Sequence, residues 1–150
     1  MVAAVTLRET IEADLPTLYE HQADPEASAM AAFPSRDLPT FLAHQAKIRD
    51  DPSTLARTIV ADGRVIGSIG SWDAEGERDV GYWIGREHWG KGYATAALRA
   101  FLDVDPHRPL QAHVADHNVG SRRVLEKCGF VLERSVQEEG VLEHVLVLPA

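Results

Sequence analysis

One stretch constrains this chain more than any other. Three β-rich runs follow one another from Thr54 to Ile84 and lead into Gly85-Arg86-Glu87-His88-Trp89-Gly90-Lys91-Gly92-Tyr93-Ala94-Thr95, after which the pattern turns helical. The runs Thr54 to Ala61 and Arg64 to Trp72 are joined by Asp62-Gly63, a pair suited to a type I′ turn because both central residues need positive φ. Asp73 to Gly76 reads as a second turn and Arg78 to Ile84 as the third strand. Strands joined by such short turns are antiparallel neighbours. The helix that follows carries Ala94, Ala97, Leu98, Phe101 and Leu102 on one face, and Pro106 and Pro109 end it.

The rest of the chain fits around this meander. Val2 to Arg8 reads as a first strand. Asp14 is placed to cap a helix with Pro16 in its first turn, and Leu15, Leu18 and Tyr19 form its apolar stripe. Residues 23–36 show no clear period and read as loop with a short helix. Leu38, Phe41, Leu42, Gln45 and Ile48 mark another helix. Leu110 to Ala115 is a short strand, and Asn118 caps a helix running to about Cys128. Gly129 falls at C′, with Phe130 and Leu125 as the hydrophobic pair of a Schellman ending. Val131 to Val136 and Val141 to Leu148 form a last pair of strands. The order predicts an α+β (mixed α/β) fold, one domain over residues 1–150, with a largely antiparallel sheet.

Composition excludes several classes. With 45% apolar and 25% charged residues the chain is ordinary for a globular protein. No apolar run approaches roughly 18 residues, so no membrane span is expected. Met1 to Arg8 lacks a basic start followed by an apolar block, so no signal peptide is expected. Cys128 is the one cysteine; it forms no internal disulfide and reads as a small core residue near a helix end. These features predict a cytoplasmic protein. A formal charge of −8 disfavours nucleic acid as a partner and suits a cationic one such as an amine. His113 and His117 lie across a strand end with no third ligand in view, so no metal is expected.

The glycine segment lies between a strand and a helix. Glycines let backbone approach a ligand closely, and the helix start aims free N–H groups at an anion, so a phosphate or pyrophosphate site is expected. A tight turn without a ligand is the plain alternative. Gly85 to Lys91 also approaches a nucleotide P-loop, but Gly92 stands where Ser or Thr would hold magnesium, and the preceding meander does not suit a parallel P-loop sheet.

Trp89-Gly90-Lys91-Gly92-Tyr93-Ala94 resembles the pyrophosphate loop of the GNAT superfamily of N-acetyltransferases. Gly92 and Ala94 fit the usual pattern, while Trp89 stands where Arg or Gln is common. Together with Gly81-Tyr82-Trp83 before it, the segment is similar to the branch that acetylates ribosomal-protein N-termini. Asn118-Val119-Gly120-Ser121 and Glu126-Lys127-Cys128-Gly129-Phe130 resemble a second block of that branch. Leu7-Arg8, Asp14-Leu15, Gly140 and Glu143-His144 agree with its layout, so the resemblance spans nearly the whole chain.

The resemblance implies a twisted sheet of about seven strands, splayed between the fourth and fifth, with about four flanking helices. It implies acetyl-CoA as co-substrate and an amine as acceptor, with a homodimer as a further possibility. Pantetheine contacts are then expected at Trp83 and Ile84. Pyrophosphate contacts are expected over Trp89, Gly90, Lys91, Gly92, Tyr93, Ala94 and Thr95. Asn118 and Ser121 are expected near the pantetheine arm and thiol. The amine must lose a proton before it attacks the thioester, since a Lys-like amine has a pKa of about 10.4. Asp79 is the candidate base, its alternative role being a solvated strand start. Glu77, Asp73 and Glu143 are weaker candidates, and His113 could relay a proton. Many family members place a Tyr in the last helix to protonate the thiolate; Leu125 occupies that position here, and Ser121 is the substitute donor, or else a capping residue. Tyr82, Trp83 and Trp89 line the acceptor pocket or pack in the core. A degenerate member that binds acyl-CoA as a sensor remains the alternative function.

Overall fold

The computed structural model describes residues 4–150. Its sheet grows outward from the meander. β2 (Leu55–Ala61), β3 (Arg64–Ala74) and β4 (Glu77–Ile84) pair antiparallel in sequence order. Asp62 and Gly63 both take positive φ, +51° and +74°, as the first turn requires. The second turn is tighter than the sequence pattern suggests. β3 runs on to Ala74, and Glu75-Gly76 alone turns the chain, again with both φ values positive.

β1 (Thr6–Glu9) pairs antiparallel with β2 at one edge. It starts later than expected, and Val2 and Ala3 lie outside the described residues. Beyond β4, β5 (Leu110–Ala115) pairs parallel to it, and the last hairpin, β6 (Val131–Glu138) and β7 (Val141–Leu148), adds through β7. Among the described residues the order is β1-β2-β3-β4-β5-β7-β6, seven strands with one parallel junction.

Among the described residues five α-helices flank this sheet. α1 (Leu15–Ala23) has Pro16 in its first turn, but Asp14 does not cap it. The Asp14 carboxylate is buried, and it accepts from Arg8 Nη1 and Nη2 at 2.8 Å, from the Ile11 N–H and from the Thr58 hydroxyl. It pins the helix entry to β1 and β2 instead. α2 (Pro25–Ala31) is a defined helix where the sequence suggests mostly loop. Asp24 caps it through the Glu26 and Ala27 N–H groups, and Pro25 occupies its first turn. α3 (Leu38–Asp50) is capped by Asp37, but of its apolar stripe only Phe41 is buried, packed edge-on to Tyr19 at 5.5 Å.

α4 (Tyr93–Val104) and α5 (Val119–Lys127) cover one face of the sheet. Ala97, Leu98 and Phe101 from α4 and Leu125 from α5 join Ile59, Ile69, Val80, Leu110, Val114 and Leu146 in one buried core. α5 ends as the sequence indicates. Gly129 takes φ +95°, Phe130 N–H bonds to Leu125 C=O at 3.0 Å and Gly129 N–H to Glu126 C=O at 3.1 Å. α1 and α2 cover the other face, where the Trp83 indole donates to the His21 carbonyl at 3.1 Å. Among the described residues no helix is long and apolar enough to cross a membrane.

Candidate active site

The site begins where two strands separate. β4 and β5 form a single bridging pair, Asp79 with Gln111. Past it the strands diverge, so the β4 edge from Val80 to Ile84 has no strand partner on that side. Backbone donors and acceptors seldom stay unpaired, so such an edge is poised for an extended ligand.

α4 starts at the mouth of this gap. Gly85 N–H bonds to the Ile66 carbonyl at 2.9 Å, and a short 3-10 turn follows at Arg86–His88. Gly90 and Gly92 then take φ +74° and +81°, the left-handed region that side chains resist. Gly92 is the N-cap of α4, and no side chain caps the helix. The N–H groups of the first turn, Tyr93 to Thr95, therefore point outward with the positive end of the helix dipole behind them, an arrangement suited to an anion. Lys91 is exposed beside them.

Neighbouring side chains hold the loop rather than line it. Trp89, the departure from the usual family loop, folds its indole N–H back onto the Ile84 carbonyl at 2.9 Å. Arg86 is bound to Asp24 at 2.7 Å and Glu26 at 3.3 Å, tying the loop to α2; the guanidinium holds the Asp24 carboxyl below its ordinary pKa. His21 packs under Gly85, where an added Cβ would lie 2.6 Å from its Nε2. Its Nδ1 has no hydrogen-bond partner, and burial, with His88 nearby, lowers its pKa. On the far bank His117 Nε2 donates to the Ala29 carbonyl at 2.9 Å, so α2 is tied to both sides of the gap.

The side chains around the gap take defined places. Ile84 has its side chain in the core and Trp83 has its indole on α1, so what either offers to the gap is main chain. Tyr82 alternates away from Trp83, as a strand requires. It points to the other face, where its hydroxyl lies 2.7 Å from the Ser121 hydroxyl and 3.2 Å from the Ser121 carbonyl. Burial pushes the Tyr82 phenol up to about 12, with the Ser121 bond opposing it. Asn118 caps α5 through the Ser121 N–H at 3.3 Å. Leu125 is buried in the core. The gap therefore has two hydroxyls on its α5 side, one from each bank.

The other face carries the ionisable groups. Asp79 is not a solvated strand start; it is buried, and Gln111 Nε2 donates to its Oδ1 at 2.6 Å. His113 lies two residues further along β5, with Nδ1 2.7 Å from Glu143 Oε1 and Nε2 3.8 Å from Asp79 Oδ2. Glu77 and Asp73 stand apart: Glu77 is exposed, and Asp73 pairs with Arg78 at 3.1 Å. Gln111 is the participant that sequence reasoning missed, and the parallel register alone reveals it. Trp72 is the other. Its ring fills the space above Gly81, where a Cβ would lie 2.9 Å from Cη2. Among the described residues no three potential metal ligands cluster.

The chain and its fold are similar to known proteins. The chain is 36% identical over 101 residues to the probable N-acetyltransferase YjcK of Bacillus subtilis (strain 168), a match covering 59% of this chain and 55% of that relative. The chain thus spans about half of that relative's length. It is 27% identical to the uncharacterized N-acetyltransferase p20 of Bacillus licheniformis over 92% of this chain and 82% of the relative. Its fold is similar to aminoglycoside acetyltransferase AAC(6′)-Ib in complex with coenzyme A, with a TM-score of 0.80 at 22% identity over 96% of this chain and 94% of that one. It is similar also to the spermidine N-acetyltransferase of Vibrio cholerae in complex with CoA and spermine, with a TM-score of 0.81 at 21% identity over 95% and 92% of the two chains. Residues 4–131 match the acetyltransferase (GNAT) domain family, and the chain belongs to that family.

Proposed function

We propose that this chain, as one domain, transfers an acetyl group from acetyl-CoA to a primary amine by direct attack on the thioester. The observation that carries the reading is the opening of β4 from β5 beyond one bridging pair, with an uncapped α4 N-terminus at its mouth. Pyrophosphate would sit on the N–H groups of Gly90 to Thr95, with Trp89 holding the loop and Lys91 adding charge. Pantetheine would run along the β4 main chain at Trp83 and Ile84, past Asn118 and Ser121. A β4 N–H would hold the tetrahedral oxyanion. The Tyr82–Ser121 pair would return a proton to the thiolate, a modest demand since a free thiol has a pKa of about 8.5. The Asp79 end of the gap would take the proton from the amine.

The relatives whose structures hold spermine or aminoglycosides support a cationic amine as acceptor, as does the net charge of −8. A protein N-terminal amine is equally compatible, and resemblance to the ribosomal-protein branch rests on the motifs. The acidic charge disfavours nucleic acid, and the lone cysteine fits the cytoplasm. β6 is an edge strand with Val131 and Leu132 exposed, which supports pairing with a second copy.

Calorimetric titration with acetyl-CoA, with Mg-ATP as control, tests the reading. Saturable acetyl-CoA binding followed by thiol release with an amine supports it. Binding without thiol release from any amine would favour the sensor reading, and preference for Mg-ATP would overturn both.

A further inference from the structure

We infer that the group taking the amine's proton is His113, with Glu143 as its positioning residue, and that Asp79 acts only through them; this rests on the transferase reading above. The Asp79 side chain is 13% exposed and already accepts from Gln111, whereas the His113 side chain is 37% exposed. An amine arriving from solvent reaches the imidazole first.

Hydrogen bonding then fixes which nitrogen carries the proton. A carboxylate only accepts, so the 2.7 Å contact places a proton on Nδ1, donated to Glu143 Oε1. Nε2 faces the Gln111 amide nitrogen at 3.5 Å, itself a donor, and so presents a lone pair. This is the tautomer a general base needs, with a carboxylate orienting the ring from behind. The charged groups against His113 are Asp79 from β4 and Glu143 from β7. α2 also packs on β5, but its one charged residue, Glu26, is turned to Arg86.

Position agrees. Asp79 and Gln111 are the last bridged pair, so the next residues on that face are Gly81 and His113, on opposite banks where the strands part. The Trp72 ring lies over Gly81. An ammonium entering here passes between the Trp72 ring on one bank and the imidazole on the other. The protonated amine R–NH3+ gives one proton to Nε2. Its nitrogen then bonds to the thioester carbonyl carbon, and the C–S bond breaks as the oxyanion collapses. The nitrogen's second proton ends on the thiolate through the Tyr82–Ser121 hydroxyls. His113 releases its proton to solvent, leaving amide, free thiol and H+.

The test follows thiol release from acetyl-CoA with spermidine, kanamycin and an alanine-leading peptide, as a function of pH. His113→Gln is expected to lower kcat about 10²-fold or more, to lose the acid limb of the profile, and to leave acetyl-CoA affinity unchanged. Asp79→Asn is expected to keep that limb. An unchanged limb in His113→Gln, or its loss in Asp79→Asn, overturns the inference. Nitrogen NMR of the imidazole needs no acceptor: the wild type is expected to carry its proton on Nδ1, and Glu143→Leu to move it toward Nε2. A wild-type His113 protonated on Nε2 overturns the inference. A wild type that binds no acetyl-CoA overturns the transferase reading itself.

Discussion

Ser121 and Tyr82 reach the gap from two banks, and their hydroxyls are close enough to share one proton. Tyr82→Phe keeps the ring's packing and removes only the oxygen. It is expected to lower kcat about tenfold, the low end of general-acid effects because a thiolate leaves easily. Ser121→Ala is expected to lower kcat by a similar factor while changing acetyl-CoA affinity less, and the double variant to cost little more than either alone, since the pair acts as a unit. Steady-state kinetics with calorimetry checks all three, and strictly additive losses would mean the hydroxyls act separately. Ser121 was legible in the sequence because its helix carries a recognisable motif. Its partner was not. Alternation along β4 put Tyr82 opposite Asp79, but nothing local says which helix packs on that face. The burial of Asp79 is not legible for the same reason: its partner Gln111 lies 32 residues away across a parallel pairing.

Elements were easier to read than their contacts. The Asp62-Gly63 turn, the α4 stripe and the Schellman end of α5 follow from local rules, and each appears where the sequence puts it. α2 carried a readable signal in Asp24-Pro25, a cap followed by proline, but its few residues set up no period. The α4 N-terminus is the element on which cofactor binding rests. At Gly92 φ is +81°, so any side chain adds roughly 1–2 kcal/mol of strain. Gly92→Ala is expected to bind acetyl-CoA more weakly through that strain alone. Gly92→Asp adds a carboxylate at an anion site and is expected to abolish detectable binding by calorimetry, with the fold retained by circular dichroism. Equal affinities for the two variants would show that no anion sits at this helix end.

At the scale of the whole molecule, the buried titratable groups set how the fold responds to acid. His21 has a lowered pKa because burial disfavours its cation, with His88 adding to the effect, and burial together with Arg36 and Lys47 lowers that of His44. The unfolded chain takes protons on these histidines near pH 6.5, before the folded protein does. Their stability contribution is therefore complete above about 6.5 and is lost as pH falls toward the folded values. Asp14 lies lower on the scale, held down first by its bonds from Arg8. Burial would raise Asp105, but bonds from Ser71, His107 and Arg78 overcome that and leave it below its ordinary value. These two contributions are complete above about pH 4 and are lost beneath it. Tm is thus expected to fall in two stages on acidification, a first from about 6.5 downward and a second below about 4. His21→Phe keeps a ring under Gly85 and removes the titrating group, so its Tm should fall less over the first stage than the wild type's. A wild-type Tm that stays flat between pH 7 and 5 would mean that His21 takes up its proton without disturbing the ring's packing beneath the glycine loop.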